Sequence, residues 1–317
     1  MNITVIGCGR WGSLITWYLD TLGHSVTLYG IKGTAEMDRF LAERKNDLLS
    51  LPESIALSTD IAVAKTADII IISVPSQNLR DVFKNLAPLE LQNKTFVLCM
   101  KGLEISTGKR LSQVAAEFLH PSCDLAVWLG PGHVQDFYAG IPNCMVIDSE
   151  SDAAKERLIT AFSGPLIRFY YGDDMIGNEI GGAAKNVVGI AAGVLDGLHL
   201  STLKGALMSR GTREIARLIE ALGGKPQSAY GLCHLGDYEA TLFSSHSQNR
   251  RFGECLITGE EYAKLAEGYY TVKALHEMAA DLQVELPICE AVYSVLYMGS
   301  DPKTAIGQLF ERELKKE

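Results

Sequence analysis

A run rich in β-branched residues, Asn2–Ile6, stops on the loop Gly7-Cys8-Gly9-Arg10-Trp11-Gly12, and Trp11–Leu22 then carries apolar residues at helical spacing. Glycines spaced in this way, between a hydrophobic strand and an amphipathic helix, form the context in which a βαβ unit cradles a dinucleotide. Gly7 permits the tight turn, Gly9 lets the backbone approach a pyrophosphate, and Gly12 lets the helix pack closely on the strand. The N–H groups at the helix start then face the phosphates.

The pattern continues. Gly23-His24 ends the first helix, Ser25–Tyr29 reads as a second strand, and a polar helix is expected over about 34–49. Ile69–Val74 is an unbroken apolar run closed by Pro75, as in a strand buried on both faces. Asn78–Leu86 reads as a helix, and Thr95–Met100, Leu125–Leu129, Cys144–Ile147 and Leu166–Tyr170 as strands, with a helix over Ser151–Ser163. Strands alternating with helices predict an α/β fold, a doubly wound and mainly parallel sheet of the Rossmann kind. Beyond about residue 175 the strand signal fades, and segments 179–198, 203–222, 260–281 and 288–298 read as helices. We therefore expect a dinucleotide-binding domain over 1–178 and an all-helical substrate and catalytic domain over 179–317.

With 47% hydrophobic residues and a net charge of −9, the chain has the composition of a globular protein and lacks the basic surface of a nucleic-acid binder. A few cations converging in one cleft would still hold an anionic small molecule. Seven cysteines, at 8, 99, 123, 144, 233, 255 and 289, form no CxxC pair and no metal-ligand spacing, which predicts reduced thiols, no metal and a cytoplasmic setting. The first strand begins almost at Met1 and no apolar run is long enough to span a bilayer, so neither a leader nor membrane insertion is expected. Apolar helical faces of this kind suggest a homodimer.

The chemistry centres on residues 181–189, Gly-Gly-Ala-Ala-Lys-Asn-Val-Val-Gly. Small and apolar neighbours desolvate Lys185, and a desolvated lysine near a bound nicotinamide can exchange the proton that accompanies hydride transfer at a carbonyl carbon. Metal ligation by His133, His199, His234 or His246 is not expected, because no HxH or HExxH spacing occurs. The second strand runs out as Tyr29-Gly30-Ile31-Lys32-Gly33 without the acidic residue that binds a ribose 2′-OH. Lys32 is therefore either a partner for a 2′-phosphate, a slight lean to NADPH over NADH, or a solvated loop residue.

Several blocks, in order, resemble the bacterial type of NAD(P)-dependent glycerol-3-phosphate dehydrogenase. They are Val5–Gly12, Val74-Pro75-Ser76, Lys101-Gly102-Leu103-Glu104, Gly130-Pro131, Gly181–Asn186, Leu235-Gly236-Asp237, Asn249–Gly253 and Glu267-Gly268. The resemblance implies reversible reduction of dihydroxyacetone phosphate to sn-glycerol 3-phosphate, a precursor of glycerophospholipids. It also implies a helical domain of the 6-phosphogluconate-dehydrogenase type. Position by position, it makes Lys185 the catalytic proton donor and acceptor, Lys101 a lysine touching both cofactor and substrate, and Asp237 an active-site aspartate. Cofactor contacts would come from Gly7, Gly9, Arg10, Trp11, Gly12, Lys101, Val134, Leu265 and Glu267. Substrate contacts would come from Gly130, Gly132, Lys101, Lys185, Asp237, Ser247, Gln248, Asn249 and Arg250.

Two departures from the family pattern bear on the substrate. Ser247-Gln248-Asn249 stands where the family usually has Ser-Arg-Asn, and Gln248 cannot make the charged bidentate phosphate contact of arginine. Arg250 is then the expected compensating cation. Gly130-Pro131-Gly132-His133-Val134 replaces Gly-Pro-Thr-Phe-Ala, removing one hydroxyl near the substrate. Two alternatives stay open, a related reductase of another phosphorylated or acidic carbonyl compound and a non-catalytic dinucleotide-binding sensor.

Overall fold

The computed structural model describes residues 1–314. The chain divides into two units, residues 1–100 with 111–175 and residues 101–110 with 176–317.

The first unit is built as β1 (Asn2–Ile6), α1 (Arg10–Thr21), β2 (Ser25–Tyr29), α2 (Ala35–Glu43), β3 (Ala56–Ser58), β4 (Ile69–Ile72), α3 (Leu79–Leu86), β5 (Thr95–Leu98), α4 (Leu111–Ala116), β6 (Asp124–Leu129), α5 (Val134–Tyr138), β7 (Asn143–Ser149), α6 (Asp152–Phe162) and β8 (Ile167–Tyr171). One sheet holds all eight strands in the order β3-β2-β1-β4-β5-β6-β7-β8. Neighbours pair in parallel except β6 with β7. The four isoleucines of β4 are all buried, as a strand covered on both faces requires. From β1 the chain goes to β2 and β3 on one side and then crosses to β4 on the other. The crevice at that reversal, beyond the carboxyl ends of β1 and β4, is where such sheets bind ligands.

The polar helix expected over 34–49 stops at Glu43. Arg44 turns into the left-handed region at φ +53°, and its guanidinium donates to the carbonyls of Pro52 and Ile55, each at 2.6 Å. That side chain closes a loop where periodicity alone would continue the helix.

The second unit contains α7 (Met175–Gly197), α8 (Lys204–Ala221), α9 (Gln248–Thr258), α10 (Glu267–Leu282), α11 (Pro287–Tyr297) and α12 (Pro302–Phe310). Ile180, Ala183, Val187 and Ile190 of α7 share a core with Ile215 and Ile219 of α8 and with Val272 and Leu275 of α10. Each buried valine, leucine or isoleucine among them contributes about 1.5–3 kcal/mol relative to exposure. The segment expected to be helical over 260–281 begins only at Glu267, because Gly259 ends α9 at φ +73° and the Tyr262 hydroxyl is tied back to Gln248. Among the described residues no helix is long and apolar enough to cross a membrane.

Candidate active site

In the sheet unit the glycines of the first loop divide into two crowded positions and one open one. Gly7 has φ +113°, and a Cβ there would lie 2.2 Å from the carbonyl oxygen of Ser73, in the loop after β4. A Cβ on Gly12 would lie 1.9 Å from the carbonyl oxygen of Gly7, so the strand-to-helix turn closes only on glycines. Gly9, the N-cap of α1, has nothing within 4 Å of its Cβ position. This is a cradle that keeps its backbone bare on one side while the other two glycines hold its shape, and it fits a pyrophosphate on the α1 N–H groups.

Beside it, Arg10 Nη2 donates to Gln135 Oε1 at 3.3 Å and the Trp11 ring meets Phe137 at 5.9 Å. α5 is reached through Gly130 (φ +135°) and Gly132 (φ +137°), where a Cβ on Gly132 would strike the Phe137 ring at 2.2 Å. The side chain of Val134 is buried in the sheet unit's core. Gly30, at the exit of β2, has no room for a side chain, since its Cβ would meet Met37 Sδ at 2.7 Å and Cys8 Sγ at 2.8 Å. Lys32 lies exposed just beyond.

In the helical unit, residues 181, 185, 189, 193 and 197 recur at every fourth position of α7 and form one stripe. Four are glycines and the fifth is Lys185. A Cβ on Gly193 would lie 1.9 Å from the Arg250 carbonyl oxygen, and one on Gly253 of α9 would lie 2.1 Å from the Ile190 carbonyl oxygen. The two helix backbones therefore touch, and the start of α9 is laid along the stripe that carries the lysine. Lys185 stands near the middle of α7, which begins at Met175, four residues before the expected start at 179.

The Lys185 ammonium donates to Asp237 Oδ2 at 2.9 Å and to Thr241 Oγ1 at 2.7 Å. Lys101 Nζ reaches the same Asp237 oxygen at 2.6 Å. One carboxylate oxygen thus sits between two ammonium groups, with Asp237 1% exposed, Lys185 12% and Lys101 21% at the side chain. Burial pushes the Lys185 ammonium down to about 8, against the opposing pull of Asp237 and with the help of Lys101. A lysine so placed changes charge near neutral pH, which an exposed lysine does not.

A second set of contacts holds the surroundings. Asn186 Nδ2 donates to the Lys101 carbonyl at 3.3 Å, Asn249 Nδ2 to Asn186 Oδ1 at 3.0 Å, and the Gly268 N–H to Asn249 Oδ1 at 2.9 Å. Asn249 is thereby tied to both α7 and α10. Ser247 caps α9, accepting from the Arg250 N–H at 3.3 Å. Gln248 accepts from the Tyr262 hydroxyl at 2.9 Å. Arg250, the expected compensating cation, has its Nη1 on Asp196 at 2.8 Å and its Nε on the Ser244 carbonyl at 3.1 Å. Asp196 also takes Lys204 at 2.7 Å. Leu265 lies exposed in the loop before α10, and Glu267 is the first residue of that helix.

Thr241 and Asn186 are site residues that sequence reasoning did not single out. Thr241 follows Asp237 by four positions, a spacing that places both on one face of a helical turn. Asn186 adjoins Lys185, but its contact with the Lys101 carbonyl spans 85 residues and has no local signal.

Two sequence models of one family match this chain, the N-terminal part of NAD-dependent glycerol-3-phosphate dehydrogenase over residues 2–155 and its C-terminal part over 174–307. The chain belongs to that family. It is 35% identical over 329 residues to a glycerol-3-phosphate dehydrogenase [NAD(P)+] of Thermoanaerobacter sp., covering 100% of this chain and 99% of that protein. It is 34% identical over 334 residues to the enzyme of the same name from Pelodictyon phaeoclathratiforme, with the same coverage. The crystal structure of glycerol-3-phosphate dehydrogenase from Coxiella burnetii superposes with a TM-score of 0.93 at 31% identity, over 98% of this chain and 99% of that one.

Proposed function

We propose that this chain catalyses reversible hydride transfer between NAD(P)H and dihydroxyacetone phosphate, giving sn-glycerol 3-phosphate for glycerophospholipid synthesis. The observation that carries the reading is the pair of lysines on one buried carboxylate oxygen, in a chain whose family and full-length relatives bear that activity's name. A nicotinamide dinucleotide held on Gly7, Gly9, Arg10, Trp11 and Gly12 supplies the hydride when bound. Lys185 donates the proton that the developing alkoxide requires and takes it back in the oxidative direction. Lys101 adds positive charge beside that oxygen, and Asp237 holds both ammonium groups in place. A sensor would have no use for a titrating lysine held in this way. Incubation with NADH or NADPH and dihydroxyacetone phosphate, followed at 340 nm, tests the proposal. Absence of turnover with either cofactor would overturn it.

The lean to NADPH rests on Lys32 and on the blocked Gly30 position. The proposed setting is the cytoplasm, and the proposed assembly a homodimer, supported by Met298 and Phe310 lying exposed on the helical unit. Gly9→Val should fold, because Gly9 has φ −69° and open space at Cβ. Its side chain would keep the backbone from the pyrophosphate, weakening NADH and NADPH binding by at least about tenfold, or about 1.4 kcal/mol. Fluorescence titration of a variant with unchanged melting temperature reads this out, and unchanged affinity would remove the loop from the cofactor site.

For the substrate phosphate, the start of α9 carries no acidic residue in its first turn. Ser247, Gln248 and Asn249 line it, while Arg250 is engaged with Asp196. Gln248→Arg should therefore lower KM for dihydroxyacetone phosphate by about 10- to 100-fold, the worth of one charged hydrogen bond at about 1.5–3 kcal/mol. Steady-state comparison with Arg250→Ala decides the matter. An unchanged KM in Gln248→Arg, with a raised KM and unaltered stability in Arg250→Ala, would make Arg250 the phosphate cation.

A further inference from the structure

Behind Asp237 lies a buried pair that the chemistry above leaves unused. His234 and Tyr238 are both 0% exposed. His234 Nδ1 is 2.8 Å from the Gly181 carbonyl oxygen, and its Nε2 is 2.7 Å from the Tyr238 hydroxyl. A carbonyl only accepts, so Nδ1 carries the proton and the tyrosine O–H donates to Nε2. Both ring nitrogens of a neutral imidazole are then satisfied, and burial pushes this histidine down to about 4. The two rings meet edge to face at 4.8 Å.

The placement is specific. In an α-helix the carbonyl of residue 181 faces the backbone N–H of residue 185, so His234 grips α7 at the peptide group one turn before the Lys185 side chain. Glycine at 181 makes room for it, since a Cβ there would lie 2.9 Å from His234 Cβ. Across the pair, a Cβ on Gly211 of α8 would lie 3.2 Å from the Tyr238 hydroxyl. The turn that bears Asp237 closes on His234 itself, the Asp237 N–H donating to the His234 carbonyl at 3.0 Å.

We propose that His234, backed by Tyr238, is a positioning residue. It pins the 234–237 turn to α7 so that the Asp237 carboxylate stays seated between Lys101 and Lys185. The inference rests on the activity proposed above. Removing the imidazole's hold lets Asp237 recede from Lys185. The titratable groups acting on that lysine are Asp237, Lys101 and His234. With Asp237 more distant, the ammonium loses its main stabiliser and deprotonates at lower pH.

The test compares His234→Leu, His234→Asn and Tyr238→Phe with wild type. The asparagine amide can occupy the place of Nδ1 and still donate to the Gly181 carbonyl, whereas leucine cannot. In His234→Leu, kcat should fall at least about tenfold, the basic limb of kcat/KM should move to lower pH, and the cofactor Kd should stay unchanged. His234→Asn should restore most of the rate and the position of the limb. An unmoved limb in His234→Leu, or an asparagine variant as impaired as the leucine one, would overturn the proposal. Should His234→Leu fail to fold, Tyr238→Phe decides, a limb displaced to lower pH supporting the proposal and an unmoved limb overturning it. The pH dependence of Lys185 acetylation by acetic anhydride, read by mass spectrometry, gives the lysine's titration without any substrate. If wild type does not reduce dihydroxyacetone phosphate, the proposed activity fails, while the acetylation profiles of the same variants still decide whether His234 acts on Lys185.

Discussion

Replacing Lys185 by methionine should abolish reduction of dihydroxyacetone phosphate while leaving NADH affinity within about twofold of wild type. Methionine keeps the unbranched apolar stem in the glycine stripe of α7 and removes only the ammonium group. The pair between Lys101 and Asp237 stays closed at 2.6 Å, so no buried carboxylate is left alone and the variant should fold. Loss of a general acid costs about 10²–10⁴-fold in kcat, and loss of charge at the developing alkoxide adds to that. Dinucleotide binding is assigned to the glycine loop of the sheet unit, which the substitution does not touch. Retention of more than about a tenth of the wild-type rate would exclude Lys185 as the proton donor.

Asp237→Asn should act differently, because it removes charge from between two ammonium groups. The amide oxygen still accepts a hydrogen bond, but Lys101 and Lys185 lose their shared anion while remaining mostly buried. Asp237 is the main influence raising the Lys185 ammonium against burial, so without it Lys185 falls further below its present value of about 8. The protonated form needed for reduction becomes scarce, and the rate at pH 7.5 should drop about 10²-fold. Stability should fall by about 1–3 kcal/mol at pH 7, an amount reduced by the partial exposure of the lysines. The folded variant binds fewer protons than the unfolded chain wherever Lys185 is depressed, so its stability rises with pH through the range between the folded and unfolded values of that lysine. Thermal melts should show a deficit of several degrees at pH 7 that narrows by about pH 9.5. A deficit independent of pH would mean that Asp237 supports packing alone.

What the sequence revealed tracks how local each requirement is. The turn at Gly7–Gly12 is set by residues a few positions apart, and the unbroken isoleucines of β4 announce their burial directly. Lys185 stands out because its neighbours are glycine and alanine, but nothing local in the sequence shows that the glycines of its stripe meet α9. That helix is not among the segments expected to be helical, its stretch 248–258 being mostly polar and interrupted by Gly253. In the fold, Gly253 is the place where α9 rests on the Ile190 carbonyl. The short β3, α4 and α5 carry too few residues for periodicity to show. Lys101–Arg110 groups with the helical unit although it follows a strand of the sheet, and only contacts with residues far along the chain, Asp237 and Asn186, reveal that. The same holds for Thr241, His234 and Tyr238, whose meaning depends on which helix they meet.

The central claim, that a lysine held by one shared carboxylate delivers the proton, is tested most directly by kcat/KM for dihydroxyacetone phosphate reduction from about pH 6 to 10. This quantity reports groups of the free enzyme. The account predicts a descending limb near pH 8 in wild type, from the Lys185 ammonium, and the same limb displaced to lower pH in Asp237→Asn. A profile flat across that range, or a limb that stays in place when Asp237 is replaced, would contradict it.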